Sequence, residues 1–195
     1  MDFTDRELTA IQDQEFFLIK SSATKKVIDL FGKMELELKS PVAQFDPGIQ
    51  ELNRTTGKIF RGENYKLYPY VVLDYPKLFS VQSVFAFRTM FWWGHEFSFT
   101  LHLQGNALDR FRATLLSNLN LLTGNQVYYC INDSPWHYSY SDTNYRNLED
   151  VKEIKQDIER RRFVKLSRRL PLTHYAEAVN YCVATFRLFL SAIDS

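Results

Sequence analysis

The chain has 195 residues, a net charge of +1 at pH 7, and a composition that is 45 % hydrophobic, 24 % charged and 15 % aromatic. This composition excludes a disordered chain, and the near-neutral charge excludes a strong long-range field toward nucleic acid or an anionic membrane. At this length we expect a single globular domain over 1–195 that buries roughly 70 % of its unfolded surface. Acidic residues interrupt the N-terminus and no apolar run approaches about 20 residues, so we expect no signal peptide, no membrane partner and a cytoplasmic location.

The N-terminal residues predict two helices, or one bent helix. Thr4 and Glu7 have the spacing of a capping box, which satisfies free amides in the first turn of a helix. Ser21 and Ser22 suggest a break. A second helix should follow and end before Pro41, because its apolar residues recur at alternating four- and three-residue spacing: Val27, Phe31, Met34 and Leu38. Prolines and glycines between 40 and 58 then predict a surface connection lying against the body.

Alternation of apolar and polar residues predicts the central sheet. It places three strands near 70-75, 84-92 and 96-103, joined as an antiparallel meander. Pro76 should close the first strand, because a proline in the middle of a sheet removes a ladder hydrogen bond.

The pairing of the last two strands depends on the turn around Gly94. An odd-length loop centred there pairs Phe91 with Phe97 and Phe87 with Leu101, whereas a two-residue loop would mix these rings with polar residues. A slip of one residue moves every side chain to the other face. Burial of the apolar rings therefore favours the odd loop.

The C-terminal half predicts further helices and short strands. An apolar stripe indicates a helix near 106-122, and 127–131 and 136–140 have the residues of short strands. Asn147 should open another helix, an extended segment should precede Pro171, and Thr173 should cap a long C-terminal helix. The predicted class is therefore α+β: a central antiparallel sheet packed by the N-terminal helices, the helix near 106-122 and the long C-terminal helix. A helical bundle on a small sheet is the alternative.

One face of the predicted hairpin concentrates polar residues. Arg88, Thr100 and His102 should be neighbours there, and Asp74 on the preceding strand can reach them. An aspartate beside a histidine fixes its tautomer and supports general-base chemistry, while an arginine can hold an anion. Asp74, Arg88 and His102 are thus candidate catalytic residues of a hydrolase or transferase. A covered or solvated face with a local ion pair is the alternative.

Two further groups are candidates for binding. A ligand could contact the loop before the first strand, the tandem tryptophans at the hairpin tip, or the polar row; these candidates are Glu63, Tyr65, Tyr68, Trp92, Glu96 and Thr100. A basic run within 155–169 could bind an anion or nucleic acid, although a solvated helix end explains it better. Its candidates are Arg160, Arg161, Arg162, Arg168 and Arg169.

Metal and cofactor chemistry is not predicted. The four histidines are isolated from one another, and Cys130 and Cys182 lack CxxC spacing. The leading hypothesis is a non-catalytic protein that binds a small ligand or a protein partner, and that forms a homo-oligomer through aromatic surface. The enzyme hypothesis and, more weakly, nucleic-acid association through 155–169 stay open as alternatives.

Overall fold

The secondary structure is known from a computed structural model that describes residues 2–45, 49, 52 and 55–194. Within them lie five α-helices: α1 (Asp5–Gln12), α2 (Gln14–Gln44), α3 (Asn106–Asn118), α4 (Val151–Arg160) and α5 (Ala178–Ile193). The strands are β1 (Lys58–Tyr65), β2 (Tyr68–Phe79), β3 (Ser83–Trp92), β4 (Glu96–Gly105), β5 (Tyr128–Cys130), β6 (Tyr145–Asn147) and β7 (Phe163–Pro171). Short 3-10 helices at Leu119–Leu122 and Leu172–Glu177 follow α3 and precede α5.

All seven strands join one antiparallel sheet in the order β1-β2-β3-β4-β7-β5-β6. The first four form the predicted meander, and β7 then pairs with β4. The α+β class with a long C-terminal helix is therefore confirmed.

The predicted register of the central hairpin is also confirmed. Phe91 pairs with Phe97 and Phe87 pairs with Leu101, with Gly94 in the turn at φ 72°. A positive φ favours glycine, which explains the residue at this turn. The rings of this face are buried against α5, where Phe186 lies 4.9 Å from Phe87 between ring centroids.

The other face of the sheet is covered by an irregular segment, residues 131–144, which we call the covering segment. Its backbone at Tyr138 and Ser139 donates hydrogen bonds of 2.7 and 3.2 Å to the Tyr65 hydroxyl. The Tyr138 ring is buried with Val72 and Trp92. Both faces of the central strands are therefore shielded from solvent.

Three predicted breaks are absent, at Ser21–Ser22, Pro41 and Pro76. Helix α2 runs without interruption through Ser21, Ser22 and Pro41. Pro41 is tolerated because it lies in the last turn, where only one intrahelical bond is lost and its own carbonyl still accepts from Phe45. Strand β2 continues through Pro76, because the register shift between residues 74 and 77 places the proline where the ladder is already interrupted.

Other boundaries differ from the sequence prediction. Strands β1 and β6 were not predicted, and 136–140 is irregular rather than a strand. Asp150 caps α4, later than the predicted start at Asn147, and α5 begins after the 3-10 helix that Thr173 belongs to. In the connection between 40 and 58, Phe45 and Leu52 are buried as expected, while 46–48, 50, 51, 53 and 54 lie outside the described residues.

Candidate functional site

The polar face of the hairpin contains a buried ion pair. Asp74 and Arg88 are cross-strand neighbours, and the guanidinium donates two hydrogen bonds of 2.7 and 2.8 Å to the two carboxylate oxygens. The side chains are only 5 % and 15 % exposed. Burial alone would lower the pKa of Arg88, but its interactions with Asp74 and Tyr138 raise it, so the guanidinium stays charged. This bidentate geometry is the strongest form of an arginine–carboxylate pair.

His102 shares this face but does not join the ion pair. Its Nε2 lies 3.2 Å from the side-chain oxygen of Gln104, and its Nδ1 has no hydrogen-bond partner among the described residues. Burial, together with the positive charges of Lys165 and Arg88, lowers the pKa of His102 to about 3. The imidazole is therefore neutral at pH 7, and no hydrogen bond within the described residues links it to Asp74.

The covering segment seals this polar face. The Tyr138 ring lies 4.9 Å from the Arg88 guanidinium carbon, and the Trp136 ring lies 5.8 Å from the His102 ring. Asp74 and His102 are 3 % and 2 % exposed. A substrate could reach them only after this segment moved. The enzyme hypothesis stays a prediction, and the burial of its candidate residues argues against it.

Lys165 belongs to the basic run within 155–169, but it is a buried charged residue. It is fully buried, it donates to the carbonyl of His137, and its Nζ lies 4.2 Å from the Tyr138 ring centroid. Burial lowers the pKa of Lys165 to about 8, opposed by the Cys130 thiol and assisted by the Arg88 charge. Strand alternation along β7 was the sequence signal that could have placed Lys165. Because Lys165 pairs with His102 in the ladder, its side chain lies on the same face of the sheet as His102.

Three of the six predicted ligand-binding residues, Tyr65, Tyr68 and Trp92, pack against one another. The indole nitrogen of Trp92 donates to the carbonyl of Tyr65 at 3.2 Å, and the His95 ring stacks on the Trp92 ring at 3.5 Å. Tyr68 is half-exposed and meets the His95 ring edge-on. As the tandem tryptophans predict, Trp92 and Trp93 pack on opposite sides of the sheet, each with a different apolar cluster.

Two of the ligand-binding candidates lie apart from this aromatic cluster. Glu63 is exposed and pairs with Lys20 on α2 at 2.6 Å. Thr100 is buried and shares a hydrogen bond of 2.7 Å with Ser167, whose hydroxyl also contacts Tyr140. Neither therefore adds to a common pocket with Trp92.

Glu96 lies in an open cleft instead. The cleft has a volume of about 550 Å³ and is formed where β4, β7, β5 and β6 approach the same end of the sheet. Its charged walls are Glu96 and Arg169, whose side chains are 4.0 Å apart. The remaining lining residues are His95, Gln126, Tyr128, Asn147 and Pro171.

The basic run does not form one surface. Arg161 donates to the carbonyls of residues 131 and 132 and pairs with Asp157, while Arg168 donates to Thr185 on the helix-covered face. Arg160 and Arg162 are exposed near the end of α4, and Arg169 lies at the distant cleft. Successive side chains along β7 point to opposite faces of the sheet, so Arg168 and Arg169 lie apart. The basic residues therefore do not form the continuous phosphate-binding stripe that nucleic-acid association needs.

Many of the exposed large apolar side chains of the described residues lie within residues 3–22, which we call the N-terminal arm. Helix α1 has no buried residue, and the first buried residue of α2 is Thr24. Seven large apolar side chains of the arm are 37–71 % exposed: Phe3, Leu8, Ile11, Phe16, Phe17, Leu18 and Ile19. The sequence predicts a buried helix side formed by five of them, Leu8, Ile11, Phe16, Phe17 and Ile19. That prediction is wrong, because all five are exposed; Phe16 and Phe17 contact each other edge-on.

No group of three or more histidine, cysteine or acidic side chains suited to a metal ion occurs in the described residues, and none of the described helices is long and apolar enough to cross a membrane. The comparisons with known proteins found no matching family model, no similar curated protein and no similar solved structure.

Proposed function

We propose that this protein is a non-catalytic interaction module that self-associates through its N-terminal arm. The observation that carries the proposal is the set of seven large apolar side chains exposed on residues 3–22. A concentration of exposed large apolar side chains is typical of an interaction site. These side chains are already partly covered, so burying the exposed part of each contributes less than the roughly 1.5–3 kcal/mol of complete burial; together the seven still favour association.

The arm is a formed helical element before any partner binds. The Thr4–Glu7 capping box satisfies the first turn of α1, and the Asp13 carboxylate accepts from the backbone of Phe16 at 2.8 Å at the start of α2. The ten residues of α2 before Thr24 extend about 15 Å without a buried side chain. A preorganised helix loses less conformational entropy on binding than a disordered segment does.

The charge pattern favours a second copy of the chain as the partner. Residues 2–15 contain five acidic side chains and one arginine, whereas 20–33 contain four lysines and one aspartate. An antiparallel pair of arms places the acidic part of each copy beside the lysine-rich part of the other. This arrangement is isologous and closed, as expected for a two-fold dimer. A parallel arrangement would instead bring like charges together.

Light scattering after size-exclusion chromatography tests the proposal. The full chain should elute as a dimer of about 46 kDa, twice the 23.0 kDa of one chain. Leu18→Asp, at the most exposed arm residue, should shift the mass to that of a monomer, because it places a charge in the apolar contact.

Val81→Asp provides the matched control. Val81 is an apolar residue in the β2–β3 turn that is 96 % exposed, so the same type of substitution is made outside the arm. This variant should remain dimeric. A wild-type monomer at high concentration, or equal effects of the two substitutions, would contradict the proposal.

A further inference from the structure

The cleft between Glu96 and Arg169 holds opposite charges in fixed positions. The Arg169 guanidinium carbon lies 5.1 Å from the ring centroids of both Tyr128 and Tyr140, so two aromatic rings position it. Glu96 opens β4 and is paired in the ladder with Pro171. Two neighbouring strands therefore set the separation of the two charges.

These charged groups do not satisfy each other. Their closest nitrogen and oxygen atoms are 4.0 Å apart, which is an ion pair but is too long for a hydrogen bond. Arg169 makes no side-chain hydrogen bond to another described residue, although a guanidinium has five N–H donors. The Glu96 side chain is only 19 % exposed, and burial raises the pKa of its carboxyl group. The cleft thus contains Arg169 N–H groups that make no hydrogen bond to a described residue and a largely buried Glu96 carboxylate.

The surrounding walls suit a molecule of modest size. A volume of about 550 Å³ is within the usual range of small-molecule sites. Gln126 and Asn147 offer amide groups, while Tyr128 and Pro171 offer apolar surface. The site therefore has one cationic, one anionic and one apolar contact region.

We propose that this cleft binds a small zwitterion in which a carboxylate and an ammonium group are close together, as in a free amino acid. Its carboxylate accepts two hydrogen bonds from Arg169, and its ammonium group donates to Glu96. The side chain of the ligand lies against Tyr128 and Pro171. Paired opposite charges select for the zwitterion, because a simple anion leaves Glu96 unpaired and a simple cation leaves Arg169 unpaired. This site is separate from the N-terminal arm, and the proposal does not depend on dimerisation.

Isothermal titration calorimetry of the full chain tests the inference. The probes are L-leucine and L-glutamine, with acetate and methylammonium as ligands that carry one charge each. We expect an amino acid to bind, and each singly charged probe to bind at least about tenfold more weakly, because acetate loses the contact with Glu96 and methylammonium loses both hydrogen bonds from Arg169.

Substitutions distinguish the two contacts. Glu96→Gln and Arg169→Gln should each weaken amino-acid binding by about tenfold or more, whereas Arg160→Gln, at an exposed arginine on α4, should leave it unchanged. Thermal unfolding of the variants checks that they are folded, and Arg169→Lys keeps the charge if the glutamine variant is unstable. The Arg169→Lys variant should still bind an amino acid, but weakly, because lysine keeps the positive charge and lacks the bidentate geometry of arginine.

Three results would overturn the inference. One is the absence of binding by both amino acids. The second is acetate binding as tightly as an amino acid with no effect of Glu96→Gln, which would indicate a simple anion site. The third is a loss with Arg160→Gln equal to that with Arg169→Gln, which would indicate general electrostatic attraction.

Discussion

Replacing Lys165 with methionine tests the energetic consequence of burying a charge beneath the covering segment. The lysine is fully buried and its pKa falls from the ordinary 10.5 to about 8. At 1.36 kcal/mol per pKa unit, the charged form costs the folded state about 3 kcal/mol at pH 7. Methionine fills a similar volume without that cost, but it leaves the carbonyl of His137 without its donor, a loss of about 1 kcal/mol. We expect Lys165→Met to raise the free energy of unfolding by about 2 kcal/mol at pH 7.

The pH dependence gives the sharper result. Between pH 8 and 10.5 the folded chain has released the Lys165 proton while the unfolded chain still binds it, so raising the pH stabilises the folded state. Relative to the variant, the wild type should gain about 2 kcal/mol between pH 7 and 9.5. Below pH 7 Lys165 is protonated in both states, so any further change in the difference toward pH 3 comes from His102, whose pKa the Lys165 charge helps to lower. Tyr138 also titrates at alkaline pH, but it is present in both chains. The Lys165 charge lowers the pKa of Cys130, so both chains should also carry Cys130→Ala to remove this coupled titration.

Urea unfolding followed by tryptophan fluorescence measures these differences. Both chains should carry Leu18→Asp and be compared at equal concentration, so that any dimerisation does not contribute to the measured stability. A stability difference that does not change between pH 7 and 9.5 would refute the reasoning. So would a variant that is less stable than the wild type at pH 7.

Two further predictions concern the same buried face. Asp74→Ala should destabilise the fold by roughly 3–5 kcal/mol, because it leaves the Arg88 charge buried without its partner. Urea unfolding should show a much smaller loss of stability for the double variant Asp74→Ala with Arg88→Met, which removes both charges. An equal or larger cost for the double variant would contradict this coupling. The pKa of His102 lies near 3 in the folded chain and near 6.5 when unfolded, so this residue makes stability fall as the pH drops from 6.5 toward 3. Nitrogen NMR of the imidazole should show a neutral ring at pH 5, and a protonated ring there would refute the burial argument.

The central hairpin could be predicted because its information is local. Phe91 and Phe97 belong to strands joined by a short turn, and only one register buries both rings. The class and the long terminal helix followed from the same type of periodicity. Adjacent strands also indicated that Asp74 can reach the face of Arg88, but the expected partner of Asp74 was His102, with a local ion pair only as the alternative.

Features set by distant parts of the chain could not be predicted in this way. Lys165 resembled its exposed basic neighbours, and its burial depends on the covering segment, which has no periodic pattern. Leu8 and Ile11 in the arm have the spacing of a buried helix face, yet local sequence does not reveal whether the rest of the chain supplies a packing partner. Pro41 lies inside helix α2 because it is in the last turn, where only one intrahelical hydrogen bond is lost. Pro76 lies inside strand β2 because the ladder is already interrupted between residues 74 and 77.

Sedimentation equilibrium of the full chain and of Leu18→Asp measures the molecular mass in solution and so tests self-association through the arm. Self-association through the arm predicts a mass near twice 23.0 kDa for the wild type and near 23.0 kDa for the variant. Removal of residues 1–22 should likewise give a folded monomer, because the described part of this segment contributes no buried side chain and one exposed ion pair, Lys20–Glu63. A wild-type monomer, or a dimer that persists without the arm, would contradict the account.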